Sequence, residues 1–140
     1  MKDIELLKEK IKNYFKSKNG IITVYLFGSN AKGKEYHSSD IDIGILLDRN
    51  FFEYQEYKKT IIKKSIVELG RILRNDIHPV ILNSAGEELL RQIFSNGECL
   101  LINDPEESSR FKMVMFPRIT DFAYYRDKMQ SGLIKKVMKG

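Results

Sequence analysis

The sequence predicts an α+β fold, a small β-sheet covered by helices. Three observations carry that expectation. Ile4, Leu7, Ile11 and Phe15 recur at helical spacing with Lys and Glu between them. A β-like run at 21–27 (Ile21, Ile22, Val24, Leu26) follows directly. A second run at 41–47 is apolar on both faces (Ile41, Ile43, Ile45, Leu46, Leu47), as a central strand covered on two sides requires.

The elements then follow in order. Asn19-Gly20 ends the first helix and leads into the first strand. Lys32 to Ser39 is polar and contains Gly33, which predicts a short helix and a loop. Asp48-Arg49-Asn50 ends the second strand. A long amphipathic helix is expected from about Phe52 to Leu73, with Tyr57, Ile61, Ile62, Ile66, Leu69 and Ile72 at helical spacing. Ile77 to Leu82 reads as a third strand, and Pro79 points to a sheet edge. Gly86 to Phe94 reads as a helix and Gly97 to Ile102 as a short strand. Asn103-Asp104-Pro105 opens a C-terminal helical region, interrupted or kinked at Pro117. There is no internal repeat, low-complexity tract or flexible linker.

Composition bounds the classes. A chain of 140 residues with 42% hydrophobic and 31% charged residues is expected to form one soluble domain. The formal charge of +5 is compatible with a nucleotide or nucleic-acid ligand and proves neither. A single cysteine, Cys99, excludes an intrachain disulfide and leans towards a reducing compartment. No run of apolar residues is long enough to span a membrane, and Met1-Lys2-Asp3-Ile4-Glu5 lacks a signal-peptide core, so a cytoplasmic protein is expected.

The chemistry concentrates between residues 26 and 43. Leu26-Phe27-Gly28-Ser29-Asn30-Ala31-Lys32-Gly33 takes a strand into a Gly-Ser turn and a short helix. Backbone N–H groups, a hydroxyl and a helix N-terminus together suit phosphate oxygens. Ser38-Ser39-Asp40-Ile41-Asp42-Ile43 then carries two carboxylates onto the second strand. Residues i and i+2 of a strand share a face, so Asp40 and Asp42 stand side by side. Two close carboxylates repel unless a cation lies between them, and Mg²⁺ with its preference for oxygen ligands fits that role.

Gly28-Ser29, ten intervening residues and Asp40-x-Asp42 resemble the signature of the polymerase-β-type nucleotidyltransferases. The wider pattern, Gly-Ser-x-Ala-Lys-Gly and then Ser-Asp-Ile-Asp, is similar to their minimal single-domain branch, the MNT proteins. The motif covers Gly28 to Asp42, and a minimal nucleotidyltransferase domain fits residues 1–103, with 104–140 a C-terminal helical extension packed on the same domain. The resemblance implies a polymerase-β-like core with a mostly mixed sheet. It implies that Asp40 and Asp42 bind two Mg²⁺ ions when nucleotide is present and that ATP is the substrate. Gly28 and Ser29 are expected to hold the β- and γ-phosphates, and Lys32 stands where the family often has arginine. The implied reaction moves a nucleoside monophosphate, AMP from ATP, onto a hydroxyl.

The family also places a third carboxylate on the next strand, where it activates the acceptor. Aligning Val80-Ile81-Leu82-Asn83 puts His78 at that position. Asp76 lies two residues away on the same face and takes the role if the register slips. In the MNT branch the companion is a helical HEPN-domain protein, often a toxin RNase, with the nucleotidyltransferase as its antitoxin. A HEPN-domain partner or self-association is therefore expected, with no membrane and no nucleic acid. Two alternatives stand beside it: an antitoxin that binds nucleotide and acts by occlusion, and a catalytic subunit that modifies a small molecule or RNA.

Simpler readings apply to the other residues. Ser38 and Ser39 form the turn before the strand, Cys99 is a core residue, and the aromatics at 51–57 are a helix packing face. Met113, Val114, Met115, Phe116, Ile119, Phe122, Tyr124 and Tyr125 pack on the sheet or form a partner surface. From 118 to 140, six Lys/Arg stand against two acids, which gives that segment a basic face.

Overall fold

The computed structural model describes residues 4–28, 40–50 and 54–121. Helix α1 (Ile4–Lys16) is followed by strands β1 (Ile21–Phe27) and β2 (Ile41–Leu47). Helix α2 (Tyr54–Lys64) runs through a π-helical segment (Ser65–Leu69) into α3 (Gly70–Leu73), whose C-cap Arg74 adopts a left-handed φ of 55°. Strand β3 (Ile77–Ile81), a 3₁₀ turn (Leu82–Ser84), helix α4 (Glu87–Asn96) and strand β4 (Glu98–Ile102) complete the core. A further helix, α5, covers 105–121. It opens with Asp104 Oδ1 accepting the Glu107 N–H at 3.2 Å and Pro105 in the first turn, and it is continuous through Pro117.

The four strands form one mixed sheet in the order β3-β2-β1-β4. β2 lies between β1 and β3, as its two-sided apolar pattern predicts, and β3 with Pro79 is an edge. β1 runs antiparallel to both β2 and β4, whereas β2 and β3 are parallel. Helices close both faces. Leu7, Ile11 and Phe15 of α1, Ile61 of α2 and Leu69 and Leu73 beyond it meet Val24, Leu26, Ile41, Ile43 and Ile45. On the other face Leu82, Leu90, Ile93 and Ile119 meet Ile22, Tyr25 and Leu46.

The alternation of β2 decides where the cover stops. Asp42, Gly44 and Leu46 share the second face by strand periodicity. Leu46 lies in the core, and a Cβ on Gly44 would come within 2.9 Å of Leu82 Cδ2, so a larger residue would have to push that side chain aside. Asp42 comes next, at the end where apolar cover gives way to charge. Phe15 is fully buried in the first cluster. Phe15→Ala should cost about 3–5 kcal/mol, the usual range for deleting a buried aromatic ring. Urea unfolding measures this, and a change below about 1 kcal/mol would mean that α1 does not depend on that anchor.

Three sequence expectations change here, the first being the break at Pro117, which α5 runs through without interruption. The helix at 52–73 contains a π-helical turn, which keeps Ser65 and Leu69 both buried. Cys99 is exposed rather than in the core, because it lies on edge strand β4 opposite Tyr25. Burial foremost pushes its thiol above the ordinary cysteine value. Among the described residues, no helix is long and apolar enough to cross a membrane.

Candidate active site

β1 and β2 deliver Gly28 and the acidic pair to the same end of the sheet. Phe27, the last residue of β1, pairs with Asp42 across the antiparallel ladder. Gly28 follows immediately with φ of 75°, a conformation that side-chain-bearing residues rarely adopt. A Cβ at Gly28 would lie 2.4 Å from Asp42 Oδ2. Glycine is therefore required twice, by its backbone angle and by the carboxylate lying over it. Gly97 supports this corner from behind, since a Cβ there would meet the Ile93 carbonyl oxygen at 2.6 Å and the Leu26 carbonyl oxygen at 3.2 Å. In the sequence, the place of Gly97 between a helix and a strand is the signal for this close backbone packing.

The parallel ladder fixes the other side. Ile41 pairs with Ile77 and Asp42 with His78, and the register runs on without a shift to Ile45 and Ile81. The Ile41 N–H donates to the Asp76 carbonyl oxygen at 2.9 Å, which ties the starts of β2 and β3 together. His78 Nδ1 lies 3.1 Å from Asp42 Oδ1. The His78 side chain is 67% exposed and that of Asp42 is 27% exposed, so the pair sits at the sheet surface within reach of a ligand. Asp40 and Asp76 are both exposed, each two residues before its neighbour in that pair. The unshifted register thus sets the imidazole, and not the Asp76 carboxylate, beside Asp42.

The donor set suits a divalent cation shared with a nucleotide. Asp42 presents one oxygen towards His78 and the other over Gly28, and exposed Asp40 lies one residue before β2. Among the described residues, no three acidic, histidine or cysteine side chains gather into a complete cage. Mg²⁺ fits such an incomplete set, because it typically binds one or two carboxylates and takes its other ligands from phosphates and water. Ser29 and Lys32, expected at the phosphates, lie outside the described residues. A cavity of about 380 Å³ lies elsewhere, between the far end of β2 (Leu46, Leu47) and α5, lined by Arg49, Phe111 and Arg118 among others. Four residues of strand separate Leu46 from Asp42, roughly 13 Å at the usual rise.

Comparison with known proteins bears on this geometry. The family described as Polymerase beta, Nucleotidyltransferase matches residues 9–106. A Methanocaldococcus jannaschii protein that carries the provisional name of protein adenylyltransferase is 34% identical over 98 residues, covering 64% of this chain and 98% of that protein. A chain of a toxin–antitoxin crystal structure with AMP-PNP superposes with a TM-score of 0.63 at 21% identity, covering 94% of this chain and 98% of its own. A chain of the complex between a tri-AMPylated Shewanella oneidensis HEPN toxin and its MNT antitoxin gives a TM-score of 0.60 at 20% identity, covering 97% and 99%. At these identities the two structures establish the fold.

Proposed function

Because the chain belongs to the polymerase-β nucleotidyltransferase family, we propose that it transfers AMP from ATP to a hydroxyl on a protein partner. The partner that fits best is a HEPN-domain toxin, which makes this chain its antitoxin. The observation that carries the reading is the corner built by Gly28, Asp42 and the strand start at Asp40. A carboxylate laid over a positive-φ glycine supports reading Asp42 as a metal ligand beside a phosphate-binding turn. The M. jannaschii relative, named for protein adenylylation, supports a protein acceptor. The fold shared with a chain of the HEPN toxin–MNT antitoxin complex supports the choice of partner.

Each residue has a defined task in this proposal. Gly28 and Ser29 hold the β- and γ-phosphates through N–H and hydroxyl donors, and Lys32 adds positive charge. Asp40 and Asp42 hold Mg²⁺, which when bound polarises the α-phosphoryl group and offsets the charge of the leaving pyrophosphate. The acceptor oxygen forms the new bond to the α-phosphorus as the bond to the β-phosphate oxygen breaks. The hydroxyl proton leaves to water at the exposed rim, because the unshifted register puts His78 and not Asp76 in the place of the third carboxylate. The work belongs to the cytoplasm, where ATP and Mg²⁺ are available.

A second reading rests on His78. An imidazole beside Asp42 in place of a third carboxylate favours nucleotide binding with little turnover, so that the partner is neutralised by occlusion. Radiolabelled ATP and Mg²⁺, incubated with the protein and its co-expressed partner, separate the two. Label on the partner that requires Asp42 supports transfer. A stable complex without label supports occlusion.

A further inference from the structure

We infer that His78 is itself a ligand of the cation held at Asp42, and that it turns the site towards first-row transition ions such as Mn²⁺ and Co²⁺ over Mg²⁺. The inference rests on the metal-dependent reading above and concerns which ion that site selects. Its starting point is the separation of 3.1 Å between His78 Nδ1 and Asp42 Oδ1. Two ligands at right angles, each bonded at about 2.1 Å, are about 3.0 Å apart. The two atoms are therefore already spaced as one edge of an octahedral coordination shell.

The backbone holds that edge in place. His78 and Asp42 are partners in the parallel ladder, flanked by the Ile41–Ile77 and Ile43–Pro79 pairs. Ile41, Ile43 and Ile77 are buried, so both strands are anchored by core side chains next to the pair. The imidazole itself is 67% exposed, and its tip is open to solvent and to a bound ion. The two atoms are within hydrogen-bond distance of each other. Either ring nitrogen of a neutral imidazole can carry the proton, so Nδ1 can present its lone pair to an ion while Nε2 keeps the hydrogen.

Ligand chemistry then sets the selectivity. Carboxylate and water suit Mg²⁺, whereas imidazole suits transition ions, whose affinity for a nitrogen-bearing site rises from Mn²⁺ towards Cu²⁺. Exchanging one carboxylate-type ligand for imidazole also removes a negative charge, which weakens the hold on a hard ion more than on a borderline one. A surface hydrogen bond between the same residues contributes little to stability. Folding alone thus gives no strong reason for the pair.

Pulsed EPR of Mn²⁺ bound to the protein with a non-hydrolysable ATP analogue reads the ligand directly. Wild type should show ¹⁴N modulation that disappears when the chain is produced with ¹⁵N-histidine. Two histidines exist, His37 and His78, so His78→Asp and His78→Asn assign the signal. Both variants should lose it, although asparagine can still hydrogen-bond Asp42. Competition should show Mn²⁺ preferred over Mg²⁺ at least tenfold more strongly in wild type than in His78→Asp. Bound Mn²⁺ without histidine nitrogen coupling, or a preference unchanged by His78→Asp, overturns the inference and leaves the nucleotidyltransferase reading standing. Absence of nucleotide-dependent Mn²⁺ binding in wild type overturns both.

Discussion

Asp42→Ala abolishes transfer of labelled nucleotide while leaving the fold intact. The expected loss is about 10³-fold or more, the rate equivalent of the several kcal/mol that a bound metal contributes to transition-state charge. The structural reason is position. Asp42 is the only acid within β2, one of the two central strands of the sheet. It pairs with the residue before Gly28 on one side and with His78 on the other. Among the described residues, no other carboxylate pairs with both Phe27 and His78. The fold should tolerate the change, because the side chain lies at the rim and its partner His78 is mostly exposed. Asp42→Asn is the stricter control, since it keeps the shape and a polar contact to His78 and removes only the charge. Retained transfer in either variant, with melting temperature as a check on folding, would remove Asp42 from the chemistry and with it the proposed site.

Gly28→Ala is the second large effect, and it separates geometry from charge. The new methyl group would sit 2.4 Å from Asp42 Oδ2, at a residue whose φ is 75°. The left-handed backbone costs roughly 1–2 kcal/mol for an alanine. The collision is resolved either by moving the carboxylate or by moving the turn, and a displacement of about 1 Å at a reacting centre costs about 10²-fold in rate. Gly86→Ala supplies the internal comparison. Nothing lies within 4 Å of a Cβ there, so that variant should be close to wild type in both respects. Steady-state transfer rates and urea unfolding on the two variants test the pair. Equal activity in both would show that the turn is not held in register with Asp42 during the reaction.

Much of this arrangement is legible in the sequence, for identifiable reasons. α1 and β2 are read correctly because each carries a long, consistent pattern: Leu7, Ile11 and Phe15 every three or four residues, and an apolar run too continuous for a half-exposed strand. The edge position of β3 follows from Pro79 alone. The π-helical turn at Ser65–Leu69 leaves no signature, because Ile61, Leu69 and Leu73 keep an ordinary helical spacing through it. Cys99 is misplaced because hydrophobicity indicates burial without saying whether a strand has a neighbour. The pairing of Asp42 with His78 depends on the register of two strands more than thirty residues apart, which local pattern leaves open. The stretch expected to hold phosphate, Ser29 and Lys32, lies outside the described residues.

Pro79 has one more effect, on what can approach the site. Asp76 turns its carbonyl oxygen inward to β2, so by alternation Ile77, Pro79 and Ile81 turn their backbone groups away from the sheet. Pro79 has no N–H to offer at the middle of that outward row. A foreign peptide seeking to extend the sheet beside His78 therefore meets a gap where its central hydrogen bond belongs. Strand addition is thus disfavoured beside Asp42 and His78. Under the proposed reading an acceptor would dock by its own folded surface, and extended, unfolded chains would be denied an easy foothold.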